Sequence, residues 1–148
     1  KIKMGGIGWR IKELLDQILS RLPQSPAFYE PVNLSDLFER FFAAEIIREQ
    51  VFKLYQDEIP HATAVVIEQF REKTRGKDQI SATLHVERDT QKGILIGSKG
   101  TALRTLRENS HKEIEAFLGR GVELELWIKV RPNWRKDPRA LKEFGYTD

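Results

Sequence analysis

Gln91-Lys92-Gly93-Ile94-Leu95-Ile96-Gly97-Ser98-Lys99-Gly100 is the stretch on which the reading of this chain turns. Gly97 and Gly100, three apart, let a backbone turn tightly and come close to a ligand. Ile94, Leu95 and Ile96 lead into the turn, and Ala102, Leu103 and Leu106 open a helical pattern behind it. A helix starting there presents unsatisfied N–H groups and the positive end of its dipole, and Lys99 adds a full charge. Together these make a phosphate-contacting device. A nucleotide P-loop is excluded by count. That loop has four residues between its glycines, followed by Lys and then a hydroxyl residue. Here only three residues separate Gly93 from Gly97, and Ser98 precedes Lys99. No strand pattern runs straight into Gly93, and no later Asp on an apolar strand is placed to hold magnesium.

The reading left is a GxxG loop between two helices, the device with which a KH module clamps a short run of single-stranded nucleic-acid backbone. The surrounding pattern supplies the setting. Upstream, Gln79 to Arg88 alternates, with Ile80, Ala82, Leu84 and Val86 inward and Ser81, Thr83, His85 and Glu87 outward. Before it, Thr63 to Arg71 is β-branched, and Lys73 to Asp78 around Gly76 is a turn, so the two strands predict a hairpin. Downstream, Leu103, Leu106, Ser110, Ile114, Phe117 and Leu118 recur at helical spacing until Gly119 and Gly121 end the run. A third strand follows, with Val122, Leu124, Leu126, Ile128 and Val130 in and Glu123, Glu125, Trp127, Lys129 and Arg131 out. The tail from Pro132 to Asp148 holds one short helix near Pro138 to Phe144.

Further upstream, Asp36 with Glu39 three residues later reads as a capping box. It opens a helix whose buried stripe is Phe38, Phe42, Ile46, Val51 and Leu54 and which Pro60 ends. Residues 9–22 form an amphipathic pattern with Trp9, Ile11, Leu14, Leu15, Ile18, Leu19 and Leu22 on one side. The segment 23–31 carries three of the six prolines and reads as an extended connector. Composition leaves two readings of the N-terminal helix open: a piece of a neighbouring domain, or a helix packed on the same core. The order is helix, strand, strand, helix, helix, strand.

Composition bounds the rest. At 148 residues and 17.2 kDa the chain is one ordinary domain with an appendage. Cysteine is absent, which excludes disulfides, thiol catalysis and thiolate metal sites. No apolar run reaches the roughly 18 residues that cross a bilayer, and the first residues lack an apolar signal core. The expected location is the bacterial cytoplasm, with an organelle or peripheral attachment to a membrane as alternatives. The net charge is only +3, but it is unevenly placed. Arg88, Lys92, Lys99, Arg104 and Arg107 face only Asp89 in their stretch. Lys129, Arg131, Arg135, Lys136, Arg139 and Lys142 face only Asp137. From Asp36 to Glu58 six acids oppose three bases. This pattern predicts one basic side, the electrostatic footprint of a nucleic-acid binder. His61, His85 and His111 lie far apart with no carboxylate at metal-ligand spacing. No Ser–His–Asp grouping or acid pair stands out, so no catalytic residue, metal or cofactor is expected.

Three stretches resemble the C-terminal KH domain of the Era GTPase family: residues 39–49 (Glu39-Arg40-Phe41-Phe42-Ala43-Ala44-Glu45-Ile46-Ile47-Arg48-Glu49), the run from Val86 through Gly100, and Leu124-Glu125-Leu126-Trp127-Ile128-Lys129-Val130 with Trp134-Arg135, closing at Phe144-Gly145-Tyr146. They cover about residues 31–146 in the family's order. The resemblance implies an α+β, type II KH fold: a three-stranded mixed sheet with helices packed on one face, spanning residues 32–148. Residues 1–31 then resemble the last helix and connector of a preceding GTPase domain. It implies binding of single-stranded RNA near the 3′ end of small-subunit ribosomal RNA, in small-subunit assembly. At matching positions Gly97, Ser98, Lys99 and Gly100 contact the RNA backbone, and Ile94 and Ile96 line the apolar floor that receives bases. Arg88, Lys92 and Arg104 neutralise phosphates. Neither a Walker loop nor an Asn-Lys-x-Asp element is present, so GTP hydrolysis is not expected of this chain. The rival reading is a protein-docking module on a KH scaffold. Trp127 is placed to stack on a base, though at least one of Trp127 and Trp134 is expected to cover the sheet or pack on the tail.

Overall fold

The computed structural model describes residues 31–146, together with 17, 20 and 21, which are helical. The pattern at 9–22 and the expected connector 23–31 otherwise lie outside the described residues, except that Pro31 opens a helix. The chain divides into two compact units, residues 1–34 and 35–148, and the second is described here.

Its elements are α1 (Pro31–Leu54), β1 (Ala64–Arg71), β2 (Asp78–Val86), α2 (Asp89–Ile96), α3 (Thr101–Leu118), β3 (Val122–Val130) and the short α4 (Pro138–Glu143). The strands form one sheet in the order β1-β2-β3. β1 and β2 are antiparallel, from Ala64 opposite His85 to Arg71 opposite Gln79, with a register shift between Ile67 and Gln69. β2 and β3 are parallel, from Asp78 opposite Val122 to Val86 opposite Val130. A parallel partner cannot be reached by a tight turn, so the chain crosses over through α2 and α3. That crossover sets the glycine loop beside the sheet.

The core lies between one face of the sheet and three helices. Ile80, Ala82, Leu84 and Val86 of β2 meet Ala43, Ile47 and Val51 of α1, Leu95 of α2, and Leu106 and Ile114 of α3. Burying a side chain such as Ile47 completely contributes about 1.5–3 kcal/mol. The expected mixed sheet with helices on one face is the one observed.

α1 departs from expectation twice. It begins at Pro31, five residues before Asp36, so Asp36 lies inside the helix and not at its start. Proline suits a first helical position because its missing N–H has no partner there in any case. The buried stripe is also rotated. Ala43, Ile47 and Val51, at four-residue steps, are fully buried, whereas Phe38, Phe42 and Leu54 are 54%, 41% and 38% exposed. Side-chain size is a poor guide here: Ala43, Ile47 and Val51 join the buried cluster with β2, α2 and α3, and the aromatics lie outside it. Glu39, expected to complete a cap, instead accepts from the Arg120 guanidinium at 2.5 and 3.1 Å.

The opposite face of the sheet is not free either. Residues after β3 return over it. Trp134 is 3% exposed and donates its ring N–H to Ala62 O at 3.2 Å, and Phe144 stacks on His85 at 4.4 Å between centroids. His85, expected outward toward solvent, is therefore buried, and that burial lowers its pKa against the opposing pull of Glu68. Trp134 fulfils the expectation of an aromatic packed on the tail, while Trp127 stays 59% exposed.

Candidate nucleic-acid interface

The loop is built from both ends. On the incoming side, Gln91 folds its side chain back so that Oε1 accepts from Glu87 N–H at 2.9 Å and Arg88 N–H at 3.0 Å, starting α2. The last turn of α2 is held by Tyr55, whose hydroxyl donates to Leu95 O at 2.9 Å. Burial pushes the Tyr55 pKa up to about 12, so it remains a donor. On the outgoing side, Thr101 Oγ1 donates to Ser98 O at 2.9 Å.

Between these anchors the backbone takes a course that needs glycine. Gly97 sits at φ +70°, ψ −179°, and a Cβ there would lie 2.6 Å from Ala102 Cβ and 3.0 Å from Ala102 N. Gly100 is left-handed at φ +78° with open space around it, and Lys99 between them is left-handed too. The turn's own hydrogen bonds run from Gly97 N–H to Gly93 O, from Gly100 N–H to Gly97 O and from Thr101 N–H to Ser98 O. The N–H groups of Ser98 and Lys99 take no part in them. Both side chains are exposed. The result is a convex turn offering N–H groups and a cation, seated on the N-terminus of α3.

Beside the loop, α3 and β3 enclose a groove of about 430 Å³ lined by Lys99, Gly100, Leu103, Arg104, Arg107, Glu125, Leu126 and Trp127. Its apolar part is Leu103 and Leu126, and Trp127 stands at the β3 edge with its ring open to solvent. Of the residues singled out from sequence, Lys99, Gly100 and Arg104 line this groove, with Gly97 and Ser98 in the adjoining turn. Ile94 and Ile96 do not line it: Ile94 is 53% exposed on α2 and Ile96 is half-buried. Arg88 is exposed at the start of α2, and Lys92 is half-buried one turn on. Arg107 was missed as a site residue, although its three-residue spacing from Arg104 puts both on one helical face. Tyr55 was missed as well. Its signal was the four-residue step from Val51, which extends the buried stripe of α1.

The two basic runs fare differently. Among the described residues none of Arg88, Lys92, Lys99, Arg104 and Arg107 forms an ion pair. In the later run, Arg131 pairs with Glu143 and Asp137, Arg135 with Glu87, and Lys129 with Glu68. Arg135 holds the Glu87 carboxyl below its usual pKa. Arg131 and Arg135 thus help fasten the C-terminal tail, while Lys136, Arg139 and Lys142 form no ion pair among the described residues, so half of the later run keeps its charge unneutralised.

Comparison with known proteins agrees with this geometry. The family profile described as "KH domain" matches residues 58–135, which begin just after α1 and end just beyond β3. This chain belongs to the KH domain family. As a KH domain it is similar to the GTPase Era of Lactobacillus helveticus, 48% identical over 141 residues, which cover 95% of this chain and 46% of that protein. It is likewise similar to GTPase Era of Geobacter metallireducens, 46% identical and covering 48% of it. The chain thus spans about half the length of the curated relatives it matches. Among solved structures it superposes on Aquifex aeolicus Era bound to GDP–aluminium fluoride, with a TM-score of 0.70, 33% identity, and coverage of 94% of this chain and 47% of that one. The same values hold for Era in complex with MgGDPNP and nucleotides 1506–1542 of 16S ribosomal RNA. No group of metal-ligating side chains occurs among the described residues, and no described helix is long and apolar enough to cross a membrane.

Proposed function

We propose that this KH domain is the RNA-binding part of an Era-like GTPase, and that it holds single-stranded RNA near the 3′ end of small-subunit ribosomal RNA during assembly of the bacterial small subunit. The observation that carries the reading is the cationic turn Gly97-Ser98-Lys99-Gly100, with no ion pair to Lys99 among the described residues, opening into a groove that combines Arg104 and Arg107 with an exposed Trp127. Phosphates meet the N–H groups of Ser98 and Lys99 and the Lys99 ammonium, while Arg104 and Arg107 neutralise the next ones along. Arg88, Lys92 and the exposed Ile94 flank the turn on α2, and Ile96 supports it. Trp127 offers a face for base stacking, worth about 1–3 kcal/mol per base. A single strand suits this site because splayed bases can reach Leu103, Leu126 and Trp127, which a duplex cannot present. The resemblance of residues 1–31 to the end of a GTPase domain fits a module joined to that domain. GTP hydrolysis then belongs to the half of such proteins that this chain does not span.

The test is a titration of single-stranded RNA from nucleotides 1506–1542 of 16S ribosomal RNA against wild type and the Ser98→Asp, Lys99→Asp double variant. Two anions in the turn repel phosphate without touching the core, so binding should vanish while the unfolding midpoint holds. Undiminished affinity in the folded variant would overturn the assignment. A protein-docking role is favoured by a different surface, the row Leu37, Phe38, Phe41 and Phe52 of α1, each at least 43% exposed. Wild-type material that binds no RNA would move the reading there.

A further inference from the structure

His85 stands on the central strand β2, facing away from the helices, yet it is only 8% exposed. The C-terminal tail covers it. Phe144 stacks on the imidazole with centroids 4.4 Å apart and planes at 27°. The same Phe144 ring meets Trp134 edge-on at 5.4 Å and has the Arg131 guanidinium 5.1 Å from its centroid. Beneath this cover His85 Nδ1 is buried, with no hydrogen-bond partner among the described residues.

The charged groups that face the imidazole are Glu68 of β1, Lys129 of β3, Arg131 just beyond it and Glu143 of α4. They are matched with one another. Lys129 pairs with Glu68 at 3.9 Å, and Arg131 pairs with Glu143 at 2.6 Å and with Asp137 at 3.8 Å. Glu87, the next outward residue along the chain, is taken by Arg135. An imidazolium carries an N–H at both ring nitrogens, and here the Nδ1–H would be buried without an acceptor. Burial accordingly lowers the pKa of His85 from 6.5; Glu68 opposes that fall, Lys129 and Arg131 add to it, and Glu143 opposes it again.

Water can reach Nδ1 only if something moves. β2 is hydrogen-bonded to strands on both sides and is held in place. The tail is held more lightly. Ala64, Trp134 and Ala140, with Leu141 and Phe144 against them, form a small cluster separate from the core on the helix side. Such a cluster opens at lower free energy than the whole domain, and α4, six residues long, does not persist alone once it leaves the sheet.

We infer that His85 is a proton-sensitive latch: when its imidazole takes up a proton, the tail from Trp134 to Tyr146 leaves the sheet and bares Ala64 and His85. The glycine loop and its groove, built on the helix side, stay formed. The sign follows from linkage. The open state binds the proton more readily, so docking of the tail is complete above about pH 6.5 and is lost as pH falls from there toward the depressed value. One proton per opening raises the open population by at most about tenfold for each pH unit.

Amide hydrogen exchange of the full chain, followed by NMR and corrected for intrinsic rates, reads this opening. The reporters are the N–H groups of Leu141, Phe144 and Tyr146, which donate to Asp137 O, Ala140 O and Leu141 O. Between about pH 7.5 and about pH 5.5 carboxylates stay charged, so the histidines dominate the titration. The His85→Phe variant keeps a ring beneath Phe144 and removes the proton site. In wild type, opening at the three amides should rise by up to about tenfold across that window. In His85→Phe it should stay flat, and the amides of α3 should stay protected in both. An equal response in the variant, a rise shared by α3, or no rise in wild type would each overturn the inference. Should His85→Phe fail to fold, His85→Leu makes the same comparison. Direct NMR titration of the His85 imidazole supplies a second reading: an apparent value below 6.5 is expected, and one at or above it would overturn the latch.

Discussion

Replacing Gly97 and Gly100 separately by alanine should give unequal costs, although the two glycines look interchangeable in sequence. Both have positive φ, +70° and +78°. At Gly100 the backbone is left-handed and a new Cβ meets nothing within 4 Å, so the cost is that of the conformation alone, about 1–2 kcal/mol. At Gly97 ψ is −179°, a region essentially reserved for glycine, which alone costs about 1–3 kcal/mol. The new Cβ would also lie 2.6 Å from Ala102 Cβ and 3.0 Å from Ala102 N, and a backbone atom in the first turn of α3 cannot swing aside as a side-chain tip does. Relieving that contact means shifting the loop against α3, and the total for Gly97→Ala should reach about 3–4 kcal/mol. Urea denaturation followed by circular dichroism measures both, with an unchanged m-value securing the comparison. RNA affinity should fall more for Gly97→Ala, because the shift moves the N–H groups of Ser98 and Lys99. Equal destabilisation by the two substitutions, or a neutral Gly97→Ala, would refute the claim that close approach to Ala102 dictates the first glycine.

Tyr55→Phe should destabilise by about 1–2 kcal/mol, since it leaves the buried Leu95 carbonyl without its donor; faster amide exchange confined to the end of α2 and the loop would distinguish this from general loosening. Arg120→Ala should cost about 2–4 kcal/mol in urea denaturation, because Asp78, its side chain 3% exposed, loses its cation, discounted since Arg120 itself is about a third exposed. The same pair sets an acid limit. Burial pushes the Asp78 pKa up, but hydrogen bonds from Arg120 and Lys73 N–H outweigh it and hold the value below 3.8. The unfolded chain then binds more protons, so this stabilisation is complete above about pH 5 and is lost as pH falls through the depressed value. In the Arg120→Ala variant the unfolding midpoint should fall less between pH 5 and 3 than in wild type, and parallel curves would contradict the assignment.

Much of the fold was legible because it depends on local periodicity. Alternation in β2 and β3 and helical spacing in α3 are each written in about ten consecutive residues, and Gly97-Ser98-Lys99-Gly100 marked the turn without reference to anything distant. What was misread depended on partners far away in sequence. Phe38 and Phe42 fit a helical stripe as well as Ala43 and Ile47 do, and only the sheet packed against α1 decides between them. Asp36 and Glu39 match a capping box, but Glu39 is claimed by Arg120, 81 residues on. The run from Lys129 to Lys142 reads as uniformly basic, but Glu68, Glu87 and Glu143 pair with Lys129, Arg135 and Arg131, and only the structure shows which half of the run is neutralised.

By itself the sequence determined the elements, their order and the position of a phosphate-contacting turn, because turn chemistry and hydrophobic period act over one or two helical turns. The tertiary structure decided which cations remain unpaired among the described residues, which face of α1 is buried, and that α3 and β3 enclose a groove beside Lys99. Charge neutralisation and concavity are properties of neighbours in space, and the parallel pairing of β2 with β3 brings those neighbours together across more than forty residues of chain.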